Sequence, residues 1–190
     1  MNTKLNKAVT IIAQIAEVFM WVGAALSLAI TIVVAVGHQD LMWLFTDAAG
    51  QSVLATGGFS IVTAGLTGGQ LTAAFIIFFI TSLVTFVLLG MVFRNIQLSF
   101  KTAAGKTKFS EGATPFQPAI IRMVREIGIF CIASPIVELI MSIIGTVIIG
   151  SEVAEISVTF GSIFVGLVVL CLSQFFAYGA QLQRDTDGLV

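Results

Sequence analysis

The sequence has 190 residues, of which 57% are hydrophobic and 10% charged, and its net charge is −1. A soluble domain usually has about 25% charged residues, and a chain of this length cannot bury so much apolar surface in a globule. The composition therefore excludes an ordinary soluble domain and favours an integral membrane protein. The net charge gives no indication of nucleic-acid binding, and we expect none.

Four apolar stretches are long enough to cross the ~30 Å hydrocarbon core of a bilayer. They must be helical, because unpaired backbone groups are too costly in lipid. We therefore predict an all-α membrane protein, a four-transmembrane-helix bundle formed by a single integral membrane domain of residues 1–190. The predicted helices cover about 8–36, 71–100, 115–149 and 157–182.

The positive charges predict the orientation in the membrane. The nine Lys and Arg residues are confined to three places: Lys4 and Lys7, the segment Arg94–Arg125, and Arg184. Because cytoplasmic loops retain Lys and Arg, we predict a multi-pass protein of the cytoplasmic membrane with both termini in the cytoplasm.

The first outer loop, residues 37–70, contains two β-prone runs at 52–56 and 59–63 that flank Gly57 and Gly58. Glycine tolerates the positive φ of a two-residue turn, so the pattern predicts a short extracytoplasmic β-hairpin. Because an isolated hairpin is marginal in water, we expect it to lie against the helices or the headgroups.

His38, Asp40 and Glu152 fall in the two outer loops. A histidine with carboxylates can bind zinc or calcium. One histidine and scattered acids are, however, the usual content of solvated loops. We therefore predict no metal site and no cofactor.

The inner loop, residues 101–114, ends in a helix-start signal. Thr114 is a suitable cap, Pro115 suits the first helical position, and Gln117 can reach back to the cap. Pro118 then falls in the first turn, where its missing N–H costs little.

A basic surface is predicted on the inner side. Two interpretations are open: the ordinary excess of positive charge on cytoplasmic loops, or attraction to anionic lipid headgroups. The residues are Lys101, Lys106, Lys108, Arg122 and Arg125, and the headgroup interpretation concerns the three lysines.

Glu138 lies near the middle of the third predicted helix, one turn after Pro135. An ionised carboxylate at this depth costs at least ~2.5–3.5 kcal/mol, so the side chain must face the interior, be protonated or contact water. Pro135 frees the carbonyl of Cys131, and this carbonyl with Glu138 could bind a proton or a cation. The alternative is a structural hydrogen bond to a hydroxyl group at matching depth. The candidates are Ser27, Thr81, Ser82, Thr85 and Ser162.

Glu17 lies one to two turns into the first predicted helix, near the inner face. We expect a buried ion pair or a snorkelling contact that fixes helix register. The candidate partners at similar depth are Arg94, Arg122, Arg125, Gln174 and Tyr178.

Small residues spaced by four occur at Gly23 and Ser27 in the first predicted helix, and at Ser162 and Gly166 in the fourth. Such spacing lets two helices approach closely, either within one chain or between copies.

The chain contains several distinctive short motifs: Arg94-Asn95, Gly112-x-x-Pro115-Phe116, Arg122 with Arg125-Glu126-Ile127-Gly128, Phe175-Phe176-x-Tyr178-Gly179-x-Gln181-Leu182-Gln183 and Asp185-x-Asp187. These motifs resemble the YoaS-like family of small four-helix bacterial membrane proteins, which has a domain of unknown function. The chain departs from this family at Pro118 and Ala119, where members often have an asparagine. The resemblance implies four spans in a bacterial inner membrane and supplies no active site. Genes of the family often lie beside one for a small helix-turn-helix regulator, which implies a regulatory or immunity role.

Two hypotheses for function follow. The first is a non-enzymatic sensor, immunity or accessory protein that acts through protein partners. The second is a small proton- or cation-coupled carrier or channel centred on Glu138, working as a homo-oligomer because four helices enclose little room. We predict no enzyme, since no Ser/His, Asp/Asp or H-E-x-x-H pair occurs.

Overall fold

The computed structural model describes residues 3–37, 53–111, 114, 116–151, 154–155 and 160–187. Their secondary structure comprises four long helices and three short strands. The helices are α1 (Thr3–Ala35), α2 (Gly69–Ala103), α3 (Pro118–Ile149) and α4 (Phe160–Asp187). The strands are β1 (Val53–Thr56), β2 (Phe59–Val62) and β3 (Ala154–Glu155).

All four helices are long and apolar enough to span a membrane, which indicates a multi-pass membrane protein. Even α4, with 28 residues, is about 42 Å long at 1.5 Å per residue. Large apolar side chains project outward along α1, α3 and α4, as expected where lipid rather than water is the solvent. The predicted helical architecture with a small antiparallel sheet is confirmed.

The two β-prone runs form the predicted hairpin. Strand β1 pairs antiparallel with β2, and Thr56 stands opposite Phe59, so Gly57 and Gly58 make a two-residue turn. Gly57 has a φ of 58°, which L-residues with a Cβ rarely adopt. The sequence analysis missed a third strand: β3 pairs with β2 and forms the other edge of the sheet.

Helix α3 begins at Pro118 rather than at Pro115, which lies outside the described residues. Proline suits this first helical position, because its missing N–H has no partner there in any helix. The carbonyl of Gln117 accepts the first helical bond, from Ile121 N at 3.1 Å. The side chain of Gln117 does reach back, donating from Nε2 to the Thr114 carbonyl at 2.7 Å.

Contacts divide the chain into two compact units, and each of the four helices has residues in both. We call the first the basic unit, because it contains all nine Lys and Arg residues. It consists of residues 1–20, 88–132 and 161–190. We call the second the hairpin unit; it consists of residues 21–87 and 133–160.

The core of the hairpin unit forms around strand β2. Residues of a strand alternate between its two faces, and here Phe59 and Ile61 are completely buried. They cluster with Ala74 and Ile77 of α2 and with Ile149 at the end of α3. The sheet is therefore packed on helices through one apolar face, as the marginal stability of an isolated hairpin requires.

In the basic unit, α3 and α4 approach closely at two glycines. A Cβ built on Gly166 would lie 2.9 Å from the carbonyl oxygen of Gly128, and one on Gly128 would lie 2.9 Å from that of Gly166. Gly166 thus allows a close approach of two helices within one chain. In the hairpin unit, a Cβ built on Gly23 of α1 would lie 3.2 Å from the ring of Phe86.

We expect Gly166→Ala to lower stability by about 1–3 kcal/mol, because the added methyl group meets backbone that cannot move aside. Thermal unfolding of the purified protein in detergent would measure the loss. Gly161→Ala is the matched control, since nothing lies within 4 Å of a Cβ at this position of the same helix. Equal melting temperatures for the two variants would contradict the close approach.

Candidate functional site

Glu138 is a buried acid in the apolar part of α3, with 4% of its surface exposed. It lies about 11 residues, or ~16 Å, from Ile149 at the end of the helix. Ser134 and Ser142 lie one turn before and after it, so the three polar side chains share one face of α3. Pro135, which is also fully buried, interrupts the hydrogen bonding of the same helix.

The carboxyl group of Glu138 binds the turn of the hairpin. The amide of Gly58 donates to Glu138 Oε2 at 2.9 Å. The hydroxyl of Ser134 donates to Oε1 at 3.4 Å. The Ser134 hydroxyl was not among the predicted partners of Glu138, and a backbone amide from a distant loop is the closer donor. An acid in α3 and a turn about 80 residues away form one site.

Gly57 is required at this site for two reasons. Its φ is positive, and a Cβ built on it would overlap the carboxyl group of Glu138. The absence of a side chain therefore allows the carboxyl group to reach the neighbouring Gly58 amide. Gly65 also has a positive φ, but nothing lies within 4 Å of its Cβ position.

Two buried hydroxyl groups near this face have no hydrogen-bond partner among the described residues: Thr85 Oγ1 and Ser142 Oγ. The core cluster brings Ala74 and Ile77 of α2 beside Ile149, so counting along the antiparallel helices puts Thr85 level with Glu138. Buried polar atoms without partners usually mark water or a bound ion. Thr85 was a predicted partner of Glu138, whereas Ser142 was missed; its spacing of four from Glu138 was the available signal.

A second acid site, around the half-buried Glu126, lies in the basic unit, and sequence analysis missed it. The amide of Asn95 on α2 donates to Glu126 Oε2 at 3.0 Å, and Arg122 Nε donates to Oε1 at 2.9 Å. Asn95 is buried, whereas the side chain of Arg122 is 80% exposed. The motifs that contain Asn95 and Glu126 are therefore joined by a contact between α2 and α3.

The remaining intramembrane candidates are dispersed. Ser82 is buried, Gln174 is exposed, and Glu17 is half-buried. Among the described residues Glu17 has no ion pair, because the only one found joins Arg122 to Glu126. The ion pair is therefore not found in this part of the chain, and the alternative, a snorkelling contact of Glu17, stays a prediction.

The predicted basic surface divides into two parts. Lys101 donates from Nζ to Gln97 at 3.0 Å, Lys106 is exposed, and Lys108 lies 5.3 Å from the centre of the Phe109 ring. Arg122 and Arg125 instead line a groove with residues of α4.

The outer-loop metal hypothesis involved His38, Asp40 and Glu152, all of which lie outside the described residues. Within the part of the chain that the structure describes, no three His, Cys, Asp or Glu side chains group as metal ligands.

Comparisons with known proteins found no matching family model, no similar curated protein and no similar solved structure. The resemblance to the YoaS-like family therefore stays a prediction.

We expect Gly57→Ala to separate the hairpin from α3, because the methyl group takes the place of the Glu138 carboxyl group. Amide hydrogen exchange across residues 53–62 should then rise at least about fivefold, since loss of a buried hydrogen bond costs about 1–3 kcal/mol. Gly65→Ala is the matched control: it imposes the same backbone strain but meets no neighbour. If both variants exchange alike in this segment, the contact does not hold the hairpin.

Proposed function

We propose that the protein is a non-enzymatic membrane sensor or accessory protein in which the hairpin of the outer loop is the receiving element. The observation that carries the proposal is the hydrogen bond from the Gly58 amide to Glu138. In the orientation that the charge distribution favours, the hairpin faces outward, and the termini and the basic helix ends lie in the cytoplasm of a bacterial cell.

The bond supports a sensing role because it ties the conformation of a loop to a buried group of a helix. Any partner that moves the hairpin leaves the Glu138 carboxyl group and the Gly58 amide with fewer hydrogen bonds. Their desolvation cost makes the docked and undocked arrangements two distinct states rather than a continuum. An event on the outer face can in this way change α3.

Protein partners are the proposed ligands, and among the described strands β1 has one unpaired edge for them. Strand β1 lies at the edge of the sheet, and Val53 is 55% exposed. An exposed strand edge can pair with a segment of another chain. On the cytoplasmic side, the loop with Lys106 and Lys108 is the corresponding surface, and a small helix-turn-helix regulator is the partner that the family resemblance favours.

Photo-crosslinking in intact membranes tests this proposal. A crosslinking amino acid at Val53 should give one discrete protein adduct in the parent. Gly57→Ala should abolish the adduct, because the hairpin is no longer docked, whereas Gly65→Ala should retain it. The proposal would be contradicted if the parent protein gave no adduct, or if the two glycine variants gave the same adduct yield.

A second candidate function is a proton- or cation-coupled carrier centred on Glu138, assembled as a homo-oligomer. The specific observation in its favour is the pair of buried hydroxyl groups without partners, Thr85 and Ser142. With Glu138 they provide three oxygen ligands of the kind that water or a hard cation prefers.

Flux measurements separate the two functions. The carrier predicts proton or cation flux in proteoliposomes that Glu138→Gln abolishes while the protein still folds. The sensor predicts no flux in the parent protein. Size-exclusion chromatography of Glu138→Gln serves as the folding control, and flux that persists in this variant would eliminate the carrier.

A further inference from the structure

A groove of about 530 Å³ lies between the first turns of α3 and the last turns of α4, in the basic unit. One side presents Arg122 and Arg125, which are three residues apart and share a face of α3. Arg184 of α4 faces them across the groove. The remaining lining is largely apolar and includes Ile121, Ala177 and Ala180.

The two helix ends that form this groove are held together by specific contacts. The rings of Phe116 and Phe176 lie 6.0 Å apart. A Cβ on Gly179 would lie 2.6 Å from the ring of Phe116, so the aromatic side chain packs directly on the α4 backbone. The hydroxyl of Thr114 donates to Gln183 Oε1 at 3.2 Å. The groove therefore belongs to a packed junction.

Positive charge in this groove is in excess. Among the described residues, Arg122–Glu126 is the only ion pair, and the second oxygen of Glu126 accepts from Asn95. Arg125 and Arg184 thus have no carboxylate partner in the described structure. Both are exposed and belong to the groove lining, so their guanidinium groups are available to an anion.

We propose that this groove binds the phosphate group of an anionic membrane phospholipid. Guanidinium groups match phosphate oxygens in pairs, which explains arginine rather than lysine here. The apolar lining would contact the glycerol and the start of the acyl chains. Inorganic phosphate has no such apolar part, so the lining favours a lipid over free phosphate. Basic pockets between membrane helices have this character. The proposal does not depend on the sensor or carrier function.

Native mass spectrometry of the full-length protein in a neutral detergent tests the site. The probes are phosphatidylglycerol, phosphatidylcholine and inorganic phosphate. We expect phosphatidylglycerol to bind at least tenfold more tightly than the other two. An equal affinity for inorganic phosphate would overturn the assignment to a lipid, and equal binding of phosphatidylcholine would overturn the role of net charge.

The double variant Arg125→Gln/Arg184→Gln should weaken phosphatidylglycerol binding about 25-fold, since each basic residue near an anionic surface contributes a factor of about five. Arg125→Lys/Arg184→Lys should recover part of this loss. The matched control is Lys106→Gln/Lys108→Gln, which removes the same charge outside the groove and should change affinity less than twofold. Equal losses in the two glutamine variants would show general electrostatics and overturn the site.

Discussion

The hydrogen bond from the Gly58 amide to Glu138 joins two groups that are each costly in an apolar environment. A turn exposes backbone N–H groups that no strand or helix satisfies, and a buried carboxyl group needs donors. The hydrogen bond between the turn N–H and the carboxyl group lowers the desolvation cost of both groups. Irregular backbone beside an apolar membrane helix is tolerated only where it is buried in protein or lines water. For the Gly57–Gly58 turn, the side chain of Glu138 supplies the hydrogen-bond acceptor. The placement of the sheet on α2 and α3 follows from this contact together with the burial of Phe59 and Ile61.

The sequence of α3 accommodates the contact in several ways. Polar residues recur every four positions from Ser134 through Glu138 to Ser142, which puts them on one face and leaves the others apolar. Ser134 donates to the carboxyl group from its own helix. The other oxygen, Oε2, accepts from the Gly58 amide at 2.9 Å. Because Gly57 has no side chain, the space that its Cβ would fill is left for the carboxyl group of Glu138.

The parts of this structure that depend on periodicity and composition could be predicted, whereas those that depend on backbone groups could not. The four apolar helices and the hairpin at Gly57 and Gly58 follow from run length and turn chemistry. The two-residue strand β3 has no periodicity to read. Glu138 was recognisable as a costly buried acid, but its donor is a backbone N–H, a group that every residue except proline has. For Glu126, by contrast, the buried partner Asn95 is a side chain, yet its distance in sequence gave no indication of the pairing.

The contact also links the two proposed functions. Both carboxyl oxygens of Glu138 accept a hydrogen bond, Oε1 from Ser134 on the same helix and Oε2 from the Gly58 amide. Because the Gly58 amide belongs to a separate element, movement of the hairpin would expose Oε2 to a proton or a cation. A carrier built on this chain would therefore be gated by the hairpin, and a sensor would use the same displacement without transport. Under both proposals the element that must move is the one that Gly57 allows to dock.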